Sequence, residues 1–302
     1  MRNVFCKTLV EHSQNEKFVF VTGDLGFAAL EPLRAAMGRR FINAGVAEQN
    51  MVSVAAGLAR NGFRSWAYSI APFMYARPFE QIRNDIHLHQ LPVVMVGNGG
   101  GYGYGVMGAT HHALEDYGIL LTLLGLKAWI PAFDSDLGSI VQNLFESTDP
   151  NYLRLGLSEE PKGFVPPPFA GWRKLTNGDG ATIVAVGPLA GSLWQACADL
   201  SVDSRPNLWC LSKLPLDPLP PTFLDDVRET GTLLVAEEHV IQGSAGSQLA
   251  TALIQARCVP ERFMLRTALG YPSGKYGSQK FHRAECGMDP PSVLEAVRLN
   301  KV

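Results

Sequence analysis

Residues 42–59 read INAGVAEQNMVSVAAGLA, and Asn61-Gly62 follow. Small and apolar residues in this pattern predict a buried helix of about a dozen residues, which opens near Val46 and ends at the Asn-Gly pair. The helix carries one carboxylate, Glu48, in its first turn. The macrodipole favours an acid there, so a capping role is the simplest interpretation. A buried carboxylate also needs a partner, which leaves a role in a functional site open.

Segments typical of strands alternate with helical segments on both sides of this helix. Buried strands are predicted at residues 17–24, 63–70, 91–98, 126–132 and 151–157. Helices are predicted at residues 78–90 and 134–147. Strands and helices in alternation are typical of a parallel sheet covered by helices on both faces.

The composition changes after residue 157. Prolines are frequent in the following segment, and we interpret residues 158–178 as an extended linker between domains. The alternation resumes in residues 179–302, with strands expected at 181–187, 207–213 and 232–239. The expected fold class is therefore α/β, with two doubly wound domains. The larger, residues 1–157, has a mostly parallel sheet, and the smaller is residues 179–302.

The composition also excludes several classes of function. The formal net charge of −2 comes with no basic stripe, so no nucleic acid partner is expected. The five cysteines form no C-x-x-C pair, which indicates a reducing, cytoplasmic location. The N-terminal sequence does not resemble a signal peptide. The longest apolar segment, residues 119–130, is too short to span a bilayer and contains Lys127, so no membrane association is expected.

Residues 97–116 read GNGGGYGYGVMGATHHALED. Within them, Gly103–Gly108 fit G-x-G-x-x-G, and a helix is expected to start at Thr110. Further along the chain, Asp134 lies near the end of the next predicted strand. This pattern is typical of dinucleotide sites when it directly follows a strand, but here a loop intervenes. A dinucleotide-dependent oxidoreductase therefore stays an alternative.

Two further pairs of polar residues need an interpretation. His111 and His112 are adjacent, so at most one of them is expected to face a site. Glu237 and Glu238 end a predicted strand, where we expect them to form salt bridges at the interface between the domains.

Taken together, three stretches resemble the C-terminal half of transketolase, and the similarity runs nearly end to end. They are GVAEQ at 45–49, THHALED at 110–116 and EEHVIQGSAGS at 237–247. The resemblance implies a thiamine diphosphate pyrimidine-binding domain at 1–157 and a transketolase C-terminal domain at 179–302. Deoxyxylulose-phosphate synthases and the β subunits of 2-oxo acid dehydrogenases share this layout, and the latter activity is kept as an alternative.

The resemblance implies a role for Glu48. In the family, the corresponding glutamate hydrogen-bonds N1′ of the thiamine diphosphate aminopyrimidine and favours the tautomer that removes the proton from thiazolium C2. An aromatic ring stacks on the pyrimidine, for which Phe73 is the first candidate and Tyr75 the second. His111 corresponds to the histidine that contacts the substrate. The implied reaction transfers a two-carbon ketol unit from a ketose to a carbonyl acceptor.

The family's N-terminal domain, which binds the diphosphate and the metal ion, has no counterpart in this sequence. The Gly-Asp-Gly at 178–180 is interpreted as a turn, because it lies where the linker enters a predicted strand. The resemblance therefore implies a split transketolase, in which an N-terminal subunit holds the diphosphate and Mg²⁺ or Ca²⁺. We expect an α2β2 heterotetramer with a homodimer core. A regulatory subunit without activity is disfavoured by the intact Glu48 and His111.

The sequence departs from the family at positions that bind sugar phosphates. Met107 stands where the family has an aspartate for the acceptor's hydroxyl, Gly99 where it has a histidine, and Leu157 where it has an arginine, although Arg154 is nearby. These departures predict an acceptor other than the usual pentose phosphates, for example a keto sugar on a nucleotide carrier.

Overall fold

The computed structural model describes residues 1–25 and 29–298. The strands are β1 Phe18–Thr22, β2 Phe41–Asn43, β3 Arg64–Ile70, β4 Val94–Asn98, β5 Lys127–Trp129, β6 Asn151–Leu155, β7 Trp172–Lys174, β8 Thr182–Val186, β9 Asn207–Leu211, β10 Lys213–Leu214, β11 Thr232–Ala236 and β12 Arg262–Arg266. The helices are α1 Arg2–Glu11, α2 Glu31–Met37, α3 Glu48–Arg60, α4 Ala71–Tyr75, α5 Phe79–Gln81, α6 Asp116–Leu120, α7 Leu137–Glu146, α8 Leu189–Ala198, α9 Pro221–Thr230, α10 Ala245–Gln255, α11 Gln279–Glu285 and α12 Pro290–Arg298. A π-helix, Ile82–His87, continues from α5.

The first sheet has seven strands in the order β10-β5-β6-β4-β3-β1-β2. The pairings within it are parallel except that of β10 with β5. Side chains of β1 alternate between two apolar clusters: Phe18 and Phe20 lie in one with α1 and α7, whereas Val19 and Val21 lie in the other with α3. Because both faces are covered by helices, β1 and β4 carry consecutive apolar residues, as the sequence predicts, whereas β3 and β6 also bury polar residues such as Ser65 and Asn151.

The second sheet has five strands in the order β12-β11-β8-β9-β7, in which β7 runs antiparallel to its neighbour and the other pairings are parallel. The predicted α/β class with two mostly parallel sheets is confirmed. Helix α3 covers residues 48–60 and is capped by Asn61, close to the predicted ends.

Two strands differ from the domain division expected from the sequence. Trp172–Lys174, inside the segment interpreted as a linker, forms β7 and pairs with β9 of the second sheet. Lys213–Leu214 forms β10 and extends the first sheet through β5. Both are edge strands of two or three residues, so they carry little of the apolar periodicity that marks a strand.

Buried polar contacts join the two halves of the chain. Arg154 pairs through Nε with Asp116 at 2.9 Å, and its Nη2 donates to the carbonyl oxygens of Ala113 and Glu238, both at 2.8 Å. Because Glu238 follows β11, these contacts fix the second sheet against the first. Over the residues described, there is no helix long and apolar enough to cross a membrane.

Candidate active site

Glu48 is the first residue of α3 and is 5% exposed. The turn before it is held by Asn43, whose Oδ1 accepts from the backbone N–H groups of Asp24 and Gly45, both at 3.0 Å. Glu48 Oε1 accepts a hydrogen bond from Arg77 Nη1 at 2.9 Å. Among the described residues, no hydrogen bond reaches Oε2. The acid therefore does not cap its own helix through a side-chain bond there, and Oε2 can accept from a further partner.

The two candidate aromatic rings lie in different surroundings. Phe73, on α4, is partly exposed, and the guanidinium carbon of Arg77 lies 3.9 Å from its ring centre. Tyr75 is 4% exposed, and its hydroxyl donates to Glu115 Oε2 at 2.9 Å. Since Arg77 contacts both Phe73 and Glu48, the geometry favours Phe73 over Tyr75 as the ring beside the carboxylate.

His111 and His112 point to different sides of their loop. The ring of His111 lies 5.5 Å from Phe73 and 5.6 Å from Tyr104, and its Nδ1 is 2.9 Å from Thr110 Oγ1. Within the described residues, Nε2 of His111 has no hydrogen-bond partner. This histidine is therefore the one that faces the candidate site.

His112 is buried instead and connects the loop to the second half of the chain. Its Nε2 lies 2.8 Å from the Gly105 carbonyl oxygen and its Nδ1 2.8 Å from the Tyr271 hydroxyl. Burial lowers the pKa of His112, so the neutral ring is favoured. A neutral ring with the proton on Nε2 satisfies both contacts, as a donor to the carbonyl and an acceptor from the hydroxyl.

A cavity of about 400 Å³ adjoins His111 through Tyr104. Gly99 and Leu157, two of the positions that depart from the family, both line it, together with Arg2 and Asn98. Asn98 Nδ2 donates to the Tyr104 hydroxyl at 2.7 Å. A cationic side chain is thus present in the cavity, but it comes from the first helix and not from position 157.

The other departures have clear positions. Met107 is 54% exposed at the end of a short 3₁₀ turn. Gly99 has a positive φ of 78°, and a Cβ there would lie 2.1 Å from the ring of Tyr104, so no histidine fits without moving that ring. Arg154 is buried in its contact with Asp116 and does not line this cavity.

The helix expected at Thr110 does not exist. Residues 109–111 form a turn, and α6 starts only at Asp116. The glycines at 105 and 108 are required by close approach to the second half of the chain: added Cβ atoms would lie 3.2 Å from the Gly277 carbonyl oxygen and 2.6 Å from the ring of Tyr276. Since this loop leads into no helix N-terminus that could receive a pyrophosphate, the dinucleotide interpretation of Gly103–Gly108 and Asp134 loses its structural basis.

Glu237 and Glu238 have separate roles. Glu238 pairs with Arg283 of the same half of the chain and reaches the first half by accepting from the backbone N–H of Tyr102, so its salt bridge does not cross the interface as expected. Glu237 forms no salt bridge with any residue that the structure describes. Its carboxylate accepts from the N–H groups of Ala245 and Gly246, both at 2.8 Å, and from the hydroxyl of Tyr117.

The Gly-Asp-Gly segment is a turn, as predicted. Asp179 is exposed, its backbone N–H donates to the Val202 carbonyl oxygen, and a Cβ at Gly178 would lie 2.0 Å from the Arg205 carbonyl oxygen. In residues 1–25 and 29–298, no group of three His, Cys, Asp or Glu side chains is placed to hold a metal ion.

Two residues of the site were not identified from the sequence. Arg77 lies between α4 and α5, and Arg2 lies at the start of α1. Neither belongs to a recognisable motif. Arg77 directly precedes the helix predicted at 78–90, whereas no predicted element lies near Arg2.

Comparison with known proteins identifies related chains. Residues 2–160, just over half of the chain, match the family "Transketolase, pyrimidine binding domain". The chain is 29% identical over 265 residues to one of the apulose-4-phosphate transketolase subunits of Phocaeicola vulgatus, and the match covers 83% of each chain. It is 29% identical over 267 residues to the 1-deoxy-D-xylulose-5-phosphate synthase of Magnetococcus marinus, covering 86% of this chain but 42% of the synthase.

Two solved structures have the same fold. A split-gene transketolase, described as an inactive β4 tetramer, is 28% identical with a TM-score of 0.82, and the match covers 99% of this chain and 96% of that one. The transketolase of Leishmania mexicana has a TM-score of 0.78 at 18% identity, and only 45% of it is covered. The chain thus matches the split-gene protein over nearly its whole length, whereas it spans less than half of the Leishmania transketolase.

Proposed function

Because this chain belongs to the transketolase pyrimidine-binding family, we propose that it is the C-terminal subunit of a split, thiamine diphosphate-dependent transketolase. The observation that carries this function is the position of Glu48. Its buried carboxylate has one oxygen to which no described residue donates, and the other is linked through Arg77 to the ring of Phe73. The length of the match supports this assignment, since the alignment with the Phocaeicola vulgatus protein covers 83% of both chains.

The residues present suit the pyrimidine end of the cofactor. Glu48 offers an oxygen for a ring nitrogen, and Phe73 offers a flat, partly exposed face for stacking. When bound, thiamine diphosphate supplies the nucleophilic carbon that receives a two-carbon ketol unit. Glu48 orients the pyrimidine and holds a proton at its ring nitrogen, while Phe73 fixes the plane of the ring.

His111 is placed to act on the substrate. Thr110 holds its Nδ1, so Nε2 can donate to or accept from an oxygen of the bound sugar. The cavity beyond Tyr104 then accommodates the rest of the molecule, and Arg2 provides a positive charge for an anionic end.

The diphosphate and a metal ion require a second chain. An N-terminal subunit is implied by the split transketolases that this chain resembles, and that subunit holds Mg²⁺ or Ca²⁺ in the proposal. These ions prefer several oxygen ligands. In the described part of this chain, no three His, Cys, Asp or Glu side chains lie close enough together to hold a metal ion. An α2β2 heterotetramer around a homodimer core is the proposed assembly.

The acceptor is proposed to be a phosphorylated or otherwise anionic carbonyl compound. The relatives in Phocaeicola vulgatus and Actinobacillus succinogenes are named for apulose 4-phosphate. Arg2 in the cavity supports an anionic group, whereas Met107 and Leu157 lack the polar groups that the family uses for pentose phosphates. Sugar phosphates and nucleotide-linked keto sugars are therefore the two acceptor classes to compare.

Reconstitution tests the function. The chain is mixed with a candidate N-terminal transketolase subunit, and thiamine diphosphate binding is measured by calorimetry with and without Mg²⁺. We expect tight binding only by the mixture, because the charged contacts to diphosphate and metal lie on the other chain. Tight, metal-dependent binding by the isolated chain would contradict the split arrangement.

An activity panel completes the test. A ketose donor is offered with sugar phosphates, their 2-deoxy analogues and nucleotide-linked keto sugars, and kcat/KM is compared. Pyruvate is included as a donor, because its use without ketol transfer would favour the 2-oxo acid dehydrogenase alternative. Efficient use of ribose 5-phosphate with a large penalty for its 2-deoxy analogue would refute the inference from Met107.

A further inference from the structure

Arg77 contacts both of the side chains that the proposed cofactor site assigns to the pyrimidine, Glu48 and Phe73. Its Nη1 donates to Glu48 Oε1 at 2.9 Å, and its guanidinium carbon lies 3.9 Å from the centre of the Phe73 ring. A guanidinium group is planar, carries N–H donors in its plane and stacks on aromatic faces. An aminopyrimidine shares these three properties. We propose that Arg77 occupies the pyrimidine position in the cofactor-free chain and leaves it when the cofactor binds; this rests on the proposed function.

The two occupants compete for the same ring face. At 3.9 Å, the guanidinium is in stacking contact with Phe73, so a second planar group cannot lie on that face at the same time. His111 stands at 62° to Phe73 with its centre 5.5 Å away, which makes an edge contact and leaves the face to Arg77. Displacement of Arg77 is therefore a necessary step of stacking on this face.

The contacts of Arg77 are weak enough to be exchanged. Its side chain is 49% exposed, whereas that of Glu48 is 6% exposed. A pair with one solvated partner gains little because water screens it and the long side chain loses freedom. Arg77 can thus move into water at low cost, while Glu48 stays buried and receives its new partner. In the meantime, the arginine prevents the buried carboxylate from remaining unpaired.

Binding of the cofactor to the complex with the N-terminal subunit tests the proposal. The variants are Arg77→Ala, Arg77→Lys and the control Arg83→Ala, which removes an exposed arginine bonded to Asn84. Removing the competitor should tighten thiamine diphosphate binding roughly three- to ten-fold for Arg77→Ala, by the population of the competent state. Lysine keeps the charge but not the planar stack, so its gain should be smaller. Arg83→Ala should leave Kd unchanged.

Three results have different meanings. Weaker or unchanged binding by Arg77→Ala, with normal binding by wild type, would overturn the proposal and leave the function standing. Absence of binding by the wild-type complex would instead refute the proposed function. Tighter binding with Arg83→Ala as well would show a general charge effect and also overturn the role of Arg77.

A second measurement uses the isolated chain and no cofactor. Thermal unfolding is compared for Arg77→Ala in the wild-type and in the Glu48→Gln background. We expect Arg77→Ala to lower Tm in the first background and to have less effect in the second, since the charge part of the pair is already lost there. An effect of Arg77→Ala that is the same in both backgrounds would mean that the pair does not exist in the free chain, and the proposal would fail.

Discussion

The substitution Glu48→Gln separates the two interpretations of the acid at the start of α3. Glutamine keeps the size of the side chain, and its carbonyl oxygen can still accept from Arg77. Two contributions to stability are lost. The first is the interaction of one charge with the helix dipole, about 0.3–1 kcal/mol. The second is the charge part of the pair with Arg77, which is at most about 1 kcal/mol after screening because the arginine side chain is 49% exposed. The free energy of unfolding should fall by about 1 kcal/mol, which shifts Tm by about 2 °C in a chain of this size.

The effect on catalysis should be far larger. A glutamine cannot hold a proton for the ring nitrogen of the cofactor, and the loss of a positioned acid or base typically slows turnover by roughly 10²–10⁴-fold. The assay is kcat of the reconstituted complex, with Tm of the isolated chain measured in parallel. Asp225→Asn is the control, because it also removes the charge of a carboxylate that pairs with an arginine. Asp225 Oδ1 lies 2.8 Å from Arg228 Nη1. If Glu48→Gln retained more than a tenth of the wild-type turnover, Glu48 would be a structural residue and the proposed site would be wrong.

Three further outcomes follow from the geometry. Arg154→Ala should lower the free energy of unfolding in urea by about 3–5 kcal/mol, because Asp116 is left as an unpaired buried charge. Arg2→Ala should raise KM for phosphorylated acceptors roughly ten-fold in steady-state assays, with little change for uncharged ones. Burial lowers the pKa of His239, so below about pH 6.5 the unfolded chain binds a proton that the folded chain does not. The urea concentration at the unfolding midpoint should therefore fall as the pH drops below about 6.5, and it should fall less in His239→Gln.

The elements that were predictable from the sequence are those with strong local patterns. Helix α3 has small apolar residues on its buried face and an Asn-Gly end, so its bounds were close to those observed. Strands β1 and β4 of the first sheet carry consecutive buried apolar residues, which is the pattern of a strand covered on both faces. In these cases local sequence and tertiary environment favour the same structure.

The elements that were missed depend on distant contacts. Strand β10 consists of two residues, and its pairing with β5 is decided by how the second half of the chain packs on the first. The glycines of residues 103–108 suggested a phosphate-binding turn. Gly105 and Gly108 are small because Gly277 and Tyr276 approach them, about 170 residues further along the chain. A spacing of glycines does not reveal whether a ligand or another part of the backbone needs the space.

The candidate site was recognised in part through the resemblance to transketolase, and the topology of the first sheet explains why its residues converge. Glu48 follows β2, Phe73 follows β3, His111 follows β4 and Leu157 follows β6, and these strands run parallel to one another in one sheet. Their carboxyl ends lie along the same edge, so residues far apart in sequence converge there. Arg2 and Arg77 do not follow this rule, since one lies at a helix start and the other in a break between short helices. A charge that enters the site from a connecting segment can be located only when the packing of that segment is known, which is why both arginines emerged from the structure alone.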